Sequence, residues 1–161
     1  DGDPELPTLR KYFLTIGQAK VSTSAMEAYE LGYLRKGKDV IVMNQDRVIA
    51  EAKKAVLEIA DAGYTQPVQR KDIKVLGKAG LGMVYAGAHT FYAGGYMTEH
   101  EKLMTEKLGY VMCGGDLSSP TLVTEQYLLD LEREAFLSLC GTRKTLERIQ
   151  HMLKTGKPLR N

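Results

Sequence analysis

The sequence of 161 residues predicts a mainly α-helical fold. Three observations carry that prediction. Apolar residues recur at three- and four-residue spacing along most of the chain, polar residues that can cap a helix stand before those runs, and glycines close them. Only residues 40–43 break the pattern. The length suits one domain, or one domain and a small part of another, and is enough to bury a core.

The elements follow in order. Leu6, Leu9, Phe13 and Ile16 keep helical spacing and predict a first amphipathic helix that ends by Lys20, with Pro4 and Pro7 near its start. Ser24, followed three residues later by Glu27, is a capping box in which each side chain serves the other's backbone N–H. The short helix it opens stops at Gly32, where a missing side chain permits the left-handed exit. Residues 40–43, VIVM, are β-branched and too few for a helix, so they predict one short strand. Asn44 then caps a helix with Val48, Ala52, Val56 and Ile59 on one face, terminated at Gly63.

The segment TQPVQRKD, residues 65–72, is polar and aperiodic, and it marks a boundary. The expected division is 1–64, a linker at 65–72, and a helical subdomain at 73–161. After the linker, residues 79–98 contain no Asp, Glu, Lys or Arg. About 20 apolar residues cross a bilayer. Five of these twenty are glycine and His89 sits among them, so the stretch predicts a helix buried in a protein core rather than a membrane span. Thr98 with Glu101 forms a second capping box, opening a helix through Leu103, Met104, Leu108 and Val111 to about Gly114. GGDLSSP is its loop. The next helix carries Leu128, Leu131, Ala135 and Leu139 as a stripe, opposite Asp130, Arg133 and Glu134, and ends at Gly141. Thr142 caps the last, which runs to about Thr155.

Composition narrows the function classes. Hydrophobic residues at 43% and charged residues at 26% are ordinary for a globular protein. A formal net charge of +2, with both signs interleaved, leaves no basic stripe for nucleic acid. Cys113 and Cys140 have no thiol or histidine at metal-ligand spacing and read as buried and reduced, as in a cytosol. The chain opens on DGDPELP, which has neither an initiator Met nor a signal-peptide pattern and suggests a piece of a longer polypeptide.

No active site assembles from spacing. GKAGLG, residues 77–82, lacks the order of a dinucleotide loop and the lysine of a phosphate loop, and suits close helix packing. His100–Glu101 lacks the second histidine of a zinc helix, and His89, His100 and His151 read as satisfied or exposed. Glu125, Glu132 and Glu134 are acid–base candidates by type but fit a solvated helix face. Ser118 and Ser119, beside Pro120, read as turn residues. The sequence therefore offers no catalytic or metal-binding residue, and leaves cofactor-binding residues unknown.

The run AKVSTSAMEAYELGYLRKGKDVIVMNQDRVIAEAKKAVLEIADAGY, residues 19–64, resembles the late part of the crotonase, or enoyl-CoA hydratase, fold. Residues 24–34 match its short helix with a small-residue start, 40–43 its strand, and 46–62 its long Ala- and Lys-rich helix. EQYLLDLEREAFLSLCG, residues 125–141, and QHMLKTGKPLRN, residues 150–161, resemble the end of multidomain bacterial 3-hydroxyacyl-CoA dehydrogenases. The resemblance spans residues 6–161. It implies the helical C-terminal part of a crotonase-like module with one short strand, followed by a helical extension.

It further implies β-oxidation chemistry in a longer cytoplasmic enzyme, with NAD and acyl-CoA as cofactor and substrate of the full-length protein and none bound by this segment. The glutamates that activate water and the N–H groups that hold the thioester enolate oxygen have no counterpart in this chain. The partners implied are the upstream dehydrogenase and crotonase domains of the same polypeptide, with self-association through any uncovered apolar face. If CoA phosphates meet this segment, Lys144, Arg148, Lys154 and Lys157 are the cations in reach by type. Two other readings stand beside this one: a helical scaffold domain, and a ligand-binding enzyme with a pocket at Tyr85, His89 and Tyr92, which share a helix face.

Overall fold

The computed structural model describes residues 5–161, and Pro4 lies outside them. Two compact units emerge: residues 19–68 form one, and residues 69–161 together with the described residues before 19 form the other. The first helix, grouped with residues 1–64 in the sequence division, therefore packs with the C-terminal part of the chain.

The larger unit comprises α1 (Glu5–Gly17), β1 (Ile73–Val75), α4 (Lys78–Ala93), α5 (Glu99–Met112), β2 (Thr121–Val123), α6 (Glu125–Cys140) and α7 (Arg143–Thr155); α2 and α3 belong to the other unit. Its centre is Leu81, Val84 and Cys113, against which Leu9, Phe13, Met83 and Tyr110 pack. Helix α5 contacts α1, α4 and α6, and α7 lies against α6. The uncharged stretch is indeed a buried-face helix: Gly80, Leu81, Val84 and Ala88 are buried, and no helix among the described residues is long and apolar enough to cross a membrane.

The close approach of α4 and α5 explains why glycine stands where it does. A Cβ at Gly109 would overlap the Val84 side chain, and one at Gly80 would lie 2.7 Å from Cys113 Sγ. Cys113 is completely buried, and burial pushes its thiol up to about 11. It stays neutral and acts as a small apolar side chain. Cys140 is only partly buried.

Helix termini follow their sequence signals. Thr98 and Glu101 close a full capping box, and Thr124 and Thr142 cap α6 and α7 by accepting from Tyr127 and Thr145 N–H. The predicted stripe of α6 is realised, with Leu131 and Ala135 buried and Leu128 and Leu139 partly so. The two strands pair antiparallel, Ile73 facing Val123 and Val75 facing Thr121. At three residues each they carry too little alternation to announce themselves.

The smaller unit contains α2 (Ala25–Leu31), a single 3-10 turn (Gln45–Arg47) and α3 (Val48–Asp61). Ser24 accepts from Glu27 N–H as predicted, but the Glu27 carboxylate turns to the backbone and hydroxyl of Thr23 instead of completing the box at Ser24. Gly32 ends α2 in the left-handed region. Asn44 caps the 3-10 turn that leads into α3. The strand predicted at residues 40–43 does not form: those residues have no partner among the described ones, and Val40 and Met43 are 77% and 93% exposed. Their β-branched composition supplies propensity, but a strand needs a neighbour to take its backbone hydrogen bonds.

The α4–α5 contact gives a direct prediction. Gly109→Ala forces Val84 to move and is expected to destabilise the larger unit by roughly 1–3 kcal/mol, the usual cost of overpacking. Gly82→Ala, where a Cβ meets nothing within 4 Å, is expected to be neutral or stabilising by up to about 1 kcal/mol. Urea denaturation of the two variants checks the contrast, and equal effects would contradict it.

Candidate functional site

The densest polar cluster joins the start of α5, helix α7 and residues 160–161. Glu101 is its hub. One carboxylate oxygen accepts from Thr98 N–H at 2.7 Å, closing the capping box, and the same group takes Arg160 at 2.9 Å and Arg148 at 3.9 Å. Arg160 also donates to the Tyr96 carbonyl at 2.9 Å. Arg148 Nε donates to Asn161 Oδ1 at 2.8 Å, and Asn161 Nδ2 donates to Glu147 at 2.9 Å. Burial alone would push the Glu101 carboxyl up, but the Thr98 N–H and the Arg160 guanidinium outweigh it and hold the group below its ordinary value.

Beside the hub, His100 is 5% exposed, with Nε2 3.0 Å from Thr145 Oγ1, itself 2.9 Å from Thr142 Oγ1. Burial lowers the imidazole's affinity for a proton, and the charges of Arg148 and Lys144 lower it further. A shallow concavity here is lined by Glu99, His100, Lys102, Leu103, Glu106 and Lys144. Lys102 and Glu106 pair across one turn at 3.5 Å. The arrangement binds residues 160–161 onto α5 and α7. His100 shares its hydrogen bond with Thr145 and lies in the field of Arg148, Lys144 and Glu101.

The residues singled out by sequence fall into three groups. Arg148 is half-buried and committed to Asn161 and Glu101, whereas Lys144, Lys154 and Lys157 are exposed. All four stand on α7 or just beyond it, and Arg148 and Lys144 both act on His100. Tyr85, His89 and Tyr92 share an exposed face of α4, and the two concavities described have other linings. Glu125, Glu132 and Glu134 are exposed on α6. The second concavity lies against α1, lined by Leu6, Pro7, Arg10, Lys11, Leu14 and Met83.

The resemblance implies NAD for a longer enzyme, and GKAGLG is where a dinucleotide phosphate would be sought in this chain. Those residues do not fit it. Gly77 N–H donates to the Cys113 carbonyl at 2.9 Å and Lys78 N–H to the Leu117 carbonyl at 2.8 Å, so the amides that would cradle a phosphate are already bonded. Gly80 faces the core.

The chain is 44% identical over 160 residues to a probable 3-hydroxyacyl-CoA dehydrogenase of Bacillus subtilis (strain 168). The match covers 99% of this chain and 20% of that protein, so the chain spans about a fifth of the relative's length. No family model matches the chain. No solved structure matches it.

The His100 environment predicts a pH dependence. The folded state disfavours the imidazolium while the unfolded state takes up its proton near the ordinary value of about 6.5, so protons favour unfolding. Stability is present in full above that value and falls as pH drops through it, levelling off only below the lowered folded-state value. Urea midpoints measured between pH 7.5 and 5.5 are expected to fall for the unaltered chain. They should fall less for His100→Asn; an unchanged slope in that variant would show that His100 is not the source.

Proposed function

We propose that this chain is the C-terminal region of a longer 3-hydroxyacyl-CoA dehydrogenase of fatty-acid β-oxidation, where it completes a crotonase-like, acyl-CoA-handling module and contributes helices for packing or oligomerisation. One observation carries the reading: 44% identity that runs over nearly every residue here and stops at a fifth of a protein described as a probable 3-hydroxyacyl-CoA dehydrogenase. The 160 aligned residues take in helices, caps and loops alike.

The chemistry of the side chains supports the division of labour. The titratable cluster around Glu101 and His100 is used to fix residues 160–161, and Cys113 is buried and protonated. The amides of residues 77 and 78 are occupied. On this proposal NAD and the acyl-CoA belong to the rest of the polypeptide, together with the glutamates and thioester-binding amides of the hydratase reaction. The cytoplasm is the compartment proposed for the whole enzyme.

The test compares the full-length polypeptide with residues 1–161 alone, each assayed for NAD reduction with 3-hydroxybutyryl-CoA and for hydration of crotonyl-CoA. Turnover by the full-length protein and none by the isolated chain is the expected outcome. Turnover by residues 1–161 alone would overturn the division of labour, and absence of both activities from the full-length protein would overturn the reading itself.

A further inference from the structure

Charge that is interleaved over most of the chain is not so at its C-terminal end. Of the chain's 22 Lys and Arg and 20 Asp and Glu, residues 142–161 hold six cations and one acid, so the remainder carries three more acids than cations. Arg148 and Arg160 are engaged by Glu101, and Arg143 pairs with Glu147 at 2.8 Å. Lys154 and Lys157 are exposed, and no ion pair among the described residues uses them.

Apolar side chains stand beside these cations. Leu146 and Leu153, seven residues apart and therefore on one side of α7, are 46% and 81% exposed. Arg143 precedes Leu146 by three residues, Lys154 follows Leu153 directly, and Lys157 lies just past the Gly156 that ends the helix. The inner side of α7 is fixed: Thr145 is buried against His100, and Arg148 reaches Glu101 and Asn161. A helix held from within thus turns leucines outward with basic residues along their edge, the pattern of a helix that lies in a membrane interface.

We propose that the outer side of α7 is a docking surface for an anionic lipid bilayer, with Leu146 and Leu153 entering the headgroup boundary and Arg143, Lys154 and Lys157 meeting the lipid phosphates. Charge and shape together select this partner. A soluble polyanion would use the cations and leave both leucines in water. A folded acidic partner would need a pocket cut to Leu153, whereas the acyl boundary deforms around it. At 13 residues α7 is about 20 Å long, too short for a hydrocarbon core of about 30 Å, so it lies on the surface and does not span it. Two leucines and a few cations give a weak, reversible and salt-sensitive attachment.

Residues 1–161 and the full-length polypeptide are each sedimented with vesicles of phosphatidylcholine alone and with about 30 mol% phosphatidylglycerol added, and the bound fraction is titrated against lipid. Binding to the anionic vesicles is expected to be at least about tenfold tighter than to neutral ones, and to weaken at least about tenfold between about 0.05 M and about 0.5 M salt. Leu153→Asp is expected to weaken it at least about fivefold. Lys154→Gln together with Lys157→Gln is expected to weaken it about 20-fold, since each cation near such a surface is worth about fivefold. Lys36→Gln with Lys38→Gln, which removes two exposed cations from residues 19–68, is expected to leave it within about twofold. Every substituted residue is exposed, so the urea midpoints stay close to that of the unaltered chain.

Equal affinity for neutral and anionic vesicles would overturn the proposal, and so would binding that Leu153→Asp leaves unchanged, since the leucine would then stay in water. Equal losses in the two double-lysine variants would show net charge alone at work and overturn it. Binding by residues 1–161 but not by the full-length polypeptide would overturn it too, because protein would then cover the face. An oligonucleotide held as tightly as the anionic vesicles, and as tightly after Leu153→Asp, would make a soluble polyanion the partner and overturn it likewise.

Discussion

The larger unit depends on the close contact of α4 with α5. Two helices approach this tightly only where side chains are absent, and Gly80 and Gly109 provide the absences, one opposite Cys113 and the other opposite Val84. Dispersion contacts are individually small, and a void of even a fraction of an ångström forfeits much of their energy. Tight apposition therefore fixes α5 in place, and α1 and α6 use α5 as their support. The cluster around Glu101 is built on the first turn of the same helix, so its alignment with α7 is inherited from that packing.

Residues 19–68 obey a different balance. Their local signals are sound: Ser24 and Asn44 cap, Gly32 turns, and α3 is well patterned. Folding, however, must offset roughly 1–2 kcal/mol of backbone entropy per residue, and local signals do not supply that. With Ala28 as its single buried apolar residue, the unit has little burial of its own to set against that cost. α3 is amphipathic and yet holds no buried residue.

How much of this could be read beforehand depends on the range of each interaction. Helices and caps were legible because a capping box spans three residues, and Thr98–Glu101 formed as read. Ser24–Glu27 was half legible, since Thr23 offers both a backbone N–H and a hydroxyl to the carboxylate and outbids Ser24 for it. Residues 40–43 misled because propensity was visible and the missing partner was not. The clamp between Glu101 and Arg160 joins residues 59 apart in sequence, and no local pattern encodes such a pair. Arg148 was picked out as a cation, but its burial against Asn161 and Glu101 could only be seen once α5 and α7 were side by side.

The functional account follows from the same asymmetry: a helical unit with its own core and its polar cluster engaged in structure, joined to a segment that lacks a core. Native-state hydrogen exchange of residues 1–161 tests this most directly. The account predicts two tiers, with amides of α4 and α5 opening only in global unfolding and amides of α3 exchanging many orders of magnitude faster, close to unprotected rates. Protection of α3 equal to that of α4 and α5 would contradict it, because residues 19–68 would then be as stable as a unit with its own core.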